Sequence, residues 1–255
     1  MVKIDCHNHV RDDNEAIIRA GDTLGIDLFC CAFGTAGHAD ITRGNPDMDT
    51  VRAANDQVLA AMRAFPDRIA GWCYLNPGYQ RESLDEMDRC IRDGGMIGVK
   101  LYNQYFYNEP VLFPVVELTI EWQVPILGHA GKPCRESDRQ AQPRISNGQH
   151  FADLARRYPE AILIEGHLLG GGDWEWSLKA IRDVPNVWLD TSGSVVDEGA
   201  VNRCIRTLGH ERLVFGTDMS YEEGVGKILA ADLTDDQRED VWWRTMRNLL
   251  DRRTL

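Results

Sequence analysis

The chain has 255 residues, 43% hydrophobic and 27% charged, which is ample for one large core. Its 28 basic and 40 acidic side chains give a net charge of −12, which argues against nucleic acid or an anionic membrane surface as the main partner. Seven scattered cysteines with no CxxC spacing suit reduced thiols in a cytoplasmic protein, and no apolar run reaches the roughly 18 residues needed to span a membrane.

Short β-rich runs alternate with helical patterns along the whole chain. VKIDC leads into HNHV, and only the short segment RDDNEAI separates it from the first helix. IDLFCCAF is the second run; its adjacent Cys30 and Cys31 read as buried strand residues. A polar loop, GTAGHADITRGNP, then precedes the helical stretch NPDMDTVRAANDQVLAAMRAF. IAGWCYL is followed by SLDEMDRCIRDGG, IGVKLY by LFPVVELTIEW, and VPILGH by GQHFADLARRY. AILIEGH is followed by WEWSLKAIRD, NVWLD by EGAVNRCIRTLG, and RLVFGTD by LTDDQREDVWWRTMRNLLDRR. Asn45 and Thr234 are the expected N-caps of the helices they precede, each with an acidic first turn. Eight β–α units in this length imply a parallel sheet closed into a distorted (β/α)8 TIM barrel, with residues 1–255 forming one domain. A doubly wound open sheet is disfavoured, because no glycine-rich phosphate turn follows the first strand.

A barrel of this kind builds its site at the C-terminal ends of its strands. There the sequence places His7 and His9, Lys100, His129, His167 and Asp218. Residues i and i+2 of a strand share a face, so the two imidazoles of HNH project together. Four of the seven histidines fall at strand ends, and three histidines with a carboxylate form a zinc-type ligand set. Strand ends are often polar in any protein, but that explains one or two such residues rather than six.

In this order, DCHNHV, AANDQVLAAMRAFPDRIAGWCYLNP, GVKLY, VPILGHAGK, IEGHLLGGG, NVWLDTSG and VFGTDM resemble the amidohydrolase superfamily, in its amidohydrolase-related branch. That branch includes lactonases and non-oxidative decarboxylases, and the likeness runs from residue 4 to about residue 250. The resemblance implies that His7 and His9 ligate the buried metal and that Asp218 ligates it and takes a proton from the attacking water. It implies that His129 is a further ligand, and that His167 binds a second metal or orients water and substrate. Lys100 matches the position of a carboxylated lysine bridging two metals. The alternative is a plain lysine paired with Asp218 or another carboxylate. One or two divalent metals are expected, with zinc the default.

A divalent metal lowers the pKa of bound water from about 15.7 toward about 7 and polarises a carbonyl. Asp218 at its edge can carry the proton. His38, in the loop after the second strand, and Arg135 in GKPCRESDRQAQPRISNG are the expected substrate contacts. The arginines there, with Arg139 and Arg144, suit a substrate carboxylate, and the loop is long enough for a lid. Cys134 lacks an evident histidine partner. His150 and His210 read as surface or capping residues, and Trp242 and Trp243 as core packing. Trp174 and Trp176 either wall the pocket or cover a helix, and GGG at 170–172 allows a close turn beneath the site.

The leading expectation is a metal-dependent hydrolase that uses metal-activated water to cleave an amide, ester or lactone bond of a small, carboxylate-bearing molecule. A non-oxidative decarboxylase or hydratase on the same site is the alternative. The short segment after His9 counts against it, because those relatives carry a larger insertion there. A non-catalytic metal-binding barrel is the third class. The expected partner is a small molecule, with no nucleic acid and no membrane, and a homo-oligomer is compatible with the sequence.

Overall fold

The eight β-rich runs are eight strands. The computed structural model describes residues 2–35, 37–133, 135–167, 171–193 and 197–255. Cys134 and Gly170, both singled out above, lie outside them. The strands are β1 (Ile4–His9), β2 (Leu28–Ala32), β3 (Ile69–Tyr74) and β4 (Gly98–Leu101), then β5 (Ile126–Gly128), β6 (Leu163–Glu165), β7 (Val187–Asp190) and β8 (Leu213–Val214). They pair in parallel in chain order. The cylinder is joined by the Cys6 N–H donating to Phe215 C=O at 2.8 Å and the Asp218 N–H donating to His7 C=O at 2.8 Å. This is the expected (β/α)8 barrel, and among the described residues no helix is long and apolar enough to cross a membrane.

Alternation along the strands divides the apolar residues into two layers. Ile4, Cys6, Cys30, Trp72, Tyr74, Leu127, Ile164 and Val214 pack together inside the barrel. Phe29, Cys31, Cys73, Val99, Leu101, Ile126, Leu163 and Leu189 pack against the surrounding helices. Lys100, between Val99 and Leu101, is therefore turned inward and is fully buried. Ile4 and Cys6 face inward, so unbroken alternation would turn His7 and His9 outward. The β1–β2 register instead shifts between Asp5 and Asn8, where three steps on β1 oppose two on β2. This bulge reverses the phase and brings both histidines to the interior end of the barrel. The Asp5 carboxylate stitches it: it accepts from the His7 N–H at 3.1 Å, the Asn8 amide at 3.0 Å and the Thr217 hydroxyl at 2.6 Å.

Most helices follow the sequence reading, with local corrections. Asp47, not Asn45, caps the helix Met48–Ala64, accepting from the Thr50 N–H at 2.9 Å. Asn45 lies too far upstream and instead accepts from the Asn76 side chain. Thr234 caps its helix reciprocally with Gln237. The last helical stretch contains a π-type segment, Asp240–Arg244, which buries Trp242 edge-on against Phe215, while Trp243 is half-buried. His150 is a capping residue: its ring accepts from the Asn147 N–H. The two polar loops each carry a short helix, His38–Arg43 and Glu136–Ala141.

Candidate metal centre

His7 and His9 leave the end of β1 beside Asp218, which follows β8. Each imidazole has its Nδ1 tied to an acceptor with no hydrogen to give. His7 Nδ1 lies 2.6 Å from Asp190 Oδ2, and His9 Nδ1 lies 2.6 Å from the Phe33 carbonyl oxygen. Both Nδ1 atoms therefore carry the hydrogen, and in the neutral rings both Nε2 atoms present bare lone pairs. These point toward one carboxylate oxygen: Asp218 Oδ1 is 3.3 Å from His9 Nε2 and 3.8 Å from His7 Nε2. Three converging acceptors repel one another unless a cation offsets them. Lys100 Nζ, 2.8 Å from His7 Nε2, does so on one side only, and His9 Nε2 and Asp218 Oδ1 still face each other as acceptors. Their donor set and mutual spacing, all within 4.8 Å, fit a divalent metal.

A second group with metal-like spacing, His7, His167 and Asp190, is explained by hydrogen bonds. Asp190 Oδ2 already accepts from His7 and from the Ser192 hydroxyl at 2.6 Å, and Oδ1 accepts from the Ser192 N–H at 2.8 Å. Burial pushes this carboxyl up, but His7, His167 and Ser192 overcome that and hold it at about 2. Asp190 is thus a fixed anion that orients His7. Sequence reading missed it, although NVWLD ends on it at the same strand-end level as the predicted ligands. The tight fit also explains a neighbouring glycine: a Cβ on Gly216 would meet Asp190 Oδ1 at 2.0 Å.

The remaining predicted residues surround this triad. Lys100 Nζ donates to His7 Nε2 at 2.8 Å, so a metal at that lone pair must displace this bond. Burial lowers the Lys100 ammonium to about 8, with Asp218 and Asp190 opposing. His167 Nδ1 is 3.5 Å from Asp218 Oδ2 and 3.1 Å from Ser192 Oγ. Burial lowers His167 to about 3, against the pull of Asp218, and lowers His7 and His129 as well. Neutral imidazoles are the form that binds metal. Burial raises the Asp218 carboxyl, but His167, His9 and His7 more than reverse this and hold it well below the usual range. His129 lies outside the triad. Its ring is 4.8 Å from that of His167 and stacks on Tyr102 at 3.9 Å, with Nε2 3.0 Å from Gln142 Oε1 and Nδ1 without a partner among the described residues.

Local backbone strain marks the site. Among the described residues, four without a glycine's freedom have left-handed φ, and three are here: His167 (56°), Asp218 (45°) and Met219 (69°). Each costs about 1–3 kcal/mol and persists because surrounding bonds hold it.

Two clefts meet at Asp218. One, of about 380 Å³, is lined by His129, Arg135, Gln142 and His167. The other, of about 800 Å³, is lined by His9, Arg11, Phe33, His38 and Tyr102. Arg135 has no ion pair among the described residues, whereas Arg139 is held by Glu136 and Arg144 by Glu109. Trp176 is 66% exposed on its helix and lines neither cleft, and Trp174 is buried with its indole N–H on Asp197.

Comparison with known proteins agrees with this architecture. The family model described as amidohydrolase matches residues 4–252. A 2-keto-4-carboxy-3-hexenedioate hydratase of Sphingobium sp. (strain NBRC 103272 / SYK-6) is 21% identical, over 79% of this chain and 71% of that protein. The solved 2,6-dihydroxybenzoate decarboxylase from Rhizobium has a TM-score of 0.77 at 17% identity, covering 98% of both chains. A dihydroxybenzoic acid decarboxylase from Polaromonas sp. JS666, solved with manganese and 2-nitroresorcinol, has a TM-score of 0.73 at 17% identity over 98% of this chain and 96% of that one. At such identities the structures establish a shared fold; the family match over nearly the whole chain goes further, and the chain belongs to the amidohydrolase family.

Proposed function

We propose that this chain is a divalent-metal-dependent lyase acting on a small carboxylate, either releasing carbon dioxide or adding water across a double bond. The observation that carries the reading is the convergence of the His7, His9 and Asp218 acceptors at the meeting of two clefts, one of them lined by Arg135, which has no ion pair among the described residues. The similar proteins favour this over the hydrolase expected first, since their names denote a hydratase and decarboxylases of carboxylates. The short segment after His9 is thus a weak argument, because the likeness extends across almost the full length of both decarboxylases.

His7, His9 and Asp218 would hold the metal, with His129 and His167 beside it; zinc and manganese both suit this nitrogen and oxygen donor set. The metal would supply Lewis acidity toward a substrate oxygen. Asp218, 33% exposed along its side chain, is an anion open to the cleft and serves as the proton carrier. His167 faces it and orients the reacting group. Arg135 receives a remote substrate carboxylate in a two-point contact, and His38 lines the opposite mouth.

Hydrolysis is the second reading, favoured by Lys100. Its amine lies beside the triad and its pKa of about 8 gives a reactive free-base fraction near neutrality. Attack of that amine on carbon dioxide, with loss of a proton from nitrogen, would form the anionic bridge of a two-metal site. The test is product analysis of metal-loaded protein on small aromatic and unsaturated acids, N-acyl compounds and lactones. Carbon dioxide or a hydrated product supports the lyase reading, and acid released only from amides or lactones overturns it.

A further inference from the structure

We propose that Ser192 is a positioning residue that sets the tautomer of His167, so that one buried carboxylate, Asp190, governs both site histidines. Ser192 Oγ has one hydrogen and two close partners, Asp190 Oδ2 at 2.6 Å and His167 Nδ1 at 3.1 Å. A third contact, His7 Nδ1, is longer at 3.5 Å, and that nitrogen already gives its hydrogen to Asp190 at 2.6 Å. Asp190 is an acceptor only, and its contact at 2.6 Å requires a hydrogen from the serine. The hydroxyl hydrogen is thereby spent, and Ser192 Oγ faces His167 Nδ1 as an acceptor. His167 must then carry its hydrogen on Nδ1 and hold the Nε2 lone pair free. The chain of donation runs from His167 Nδ1 to Ser192 Oγ to Asp190 Oδ2, and meets there the donation from His7 Nδ1.

The backbone fixes these groups relative to one another. Ser192 donates its N–H to Asp190 Oδ1 at 2.8 Å, and the His167 N–H reaches Asp190 Oδ2 at 3.3 Å. All three side chains are buried, so water does not readily replace the serine hydroxyl. The competing partner for His167 Nδ1 is Asp218 Oδ2 at 3.5 Å, longer than a normal hydrogen bond. A tautomer set in this way presents the same nitrogen of His167 to the reacting centre in every molecule. A ring free to exchange tautomers would present a donor part of the time.

This inference rests on the reading above only in taking His167 to face the reacting centre, and its primary test needs no substrate. Histidine-15N-labelled protein without metal is compared by long-range 1H–15N correlation at pH 7.5, with rings assigned from single histidine variants. The wild type is expected to show His7 and His167 both as Nδ1–H tautomers. Ser192→Ala is expected to give mixed tautomers at His167 while His7, held directly by Asp190, keeps its pattern. Ser192→Thr, which retains the hydroxyl, restores the wild-type spectrum. On an active substrate, kcat falls about 10-fold in the alanine variant, the scale for losing a hydrogen bond that orients a site histidine. An Nε2–H tautomer at His167 in the wild type overturns the proposal without any variant. So does an unchanged Nδ1–H pattern in Ser192→Ala, which would assign control to Asp218. Failure to find lyase turnover leaves the spectra, and hence this inference, independently decidable.

Discussion

Replacing Glu165 by Gln is expected to remove a pH-dependent instability built into the end of β6, two residues before His167. Glu165 follows Leu163 on the helix-facing side of the strand and is 1% exposed. Neither carboxyl oxygen makes a hydrogen bond of normal geometry with any described residue. Burial raises its pKa from 4.5 to about 8, with only partial relief from the nearby Ser177 hydroxyl. Between those two values the folded protein keeps a proton that the unfolded chain has released. The stability from this group is complete below about pH 4.5 and lost progressively as pH rises to about 8. A shift of that size corresponds to about 5 kcal/mol at 1.36 kcal/mol per pH unit, an upper bound that local relaxation reduces to about 2–4 kcal/mol. Glutamine has the same shape and no charge, so any cost of its buried amide is independent of pH. Urea unfolding of both proteins, followed by tryptophan fluorescence at pH 5, 7 and 9, isolates the effect. The stability of Glu165→Gln relative to wild type should climb by about 2–4 kcal/mol from pH 5 to pH 9. A difference that stays flat with pH would refute the reasoning.

Three further outcomes follow from the site. Asp218→Asn should retain much of its metal yet lose about 10²–10⁴-fold in turnover, the contribution of a positioned proton carrier; near-normal rates rule out that role. Arg135→Ala should raise KM about 10- to 100-fold with little change in kcat, since a charge-assisted hydrogen bond contributes about 1.5–3 kcal/mol; an unchanged KM removes Arg135 from substrate recognition. Lys100→Ala separates one-metal from two-metal centres by metal counting. A carboxylated lysine predicts loss of a second metal, partial rescue by short carboxylic acids, and reconstitution of the wild type accelerated by bicarbonate. One metal per chain, unaffected by bicarbonate or by the substitution, assigns Lys100 to a hydrogen-bonding role at His7.

The barrel was legible because β-rich runs and amphipathic helices alternate without interruption, and strand ends carry the polar residues. The inward direction of Lys100 followed from simple alternation around Val99 and Leu101. The same rule, applied from Ile4 and Cys6, turns His7 and His9 outward. The bulge that corrects it depends on contacts from Asp5 to Thr217, more than 200 positions away, which no local pattern carries. Asp190 was visible at the end of NVWLD, but its role became apparent only when the barrel brought it to His7. Ser192 was hidden for the same reason. Arg139 and Arg144 read like Arg135 in sequence; their partners Glu136 and Glu109 separate them. The left-handed backbone at His167 and Asp218 has no compositional signal, since neither position is a glycine.

The most direct measurement of the central claim is metal content by inductively coupled plasma mass spectrometry, on wild type and on a variant with His7 and His9 both replaced by Ala. The two Nε2 lone pairs and Asp218 are the proposed binding atoms. The wild type should therefore hold at least one divalent metal per chain, and the double variant should lose it while circular dichroism shows a largely intact barrel. Full metal occupancy in the folded double variant would contradict the account.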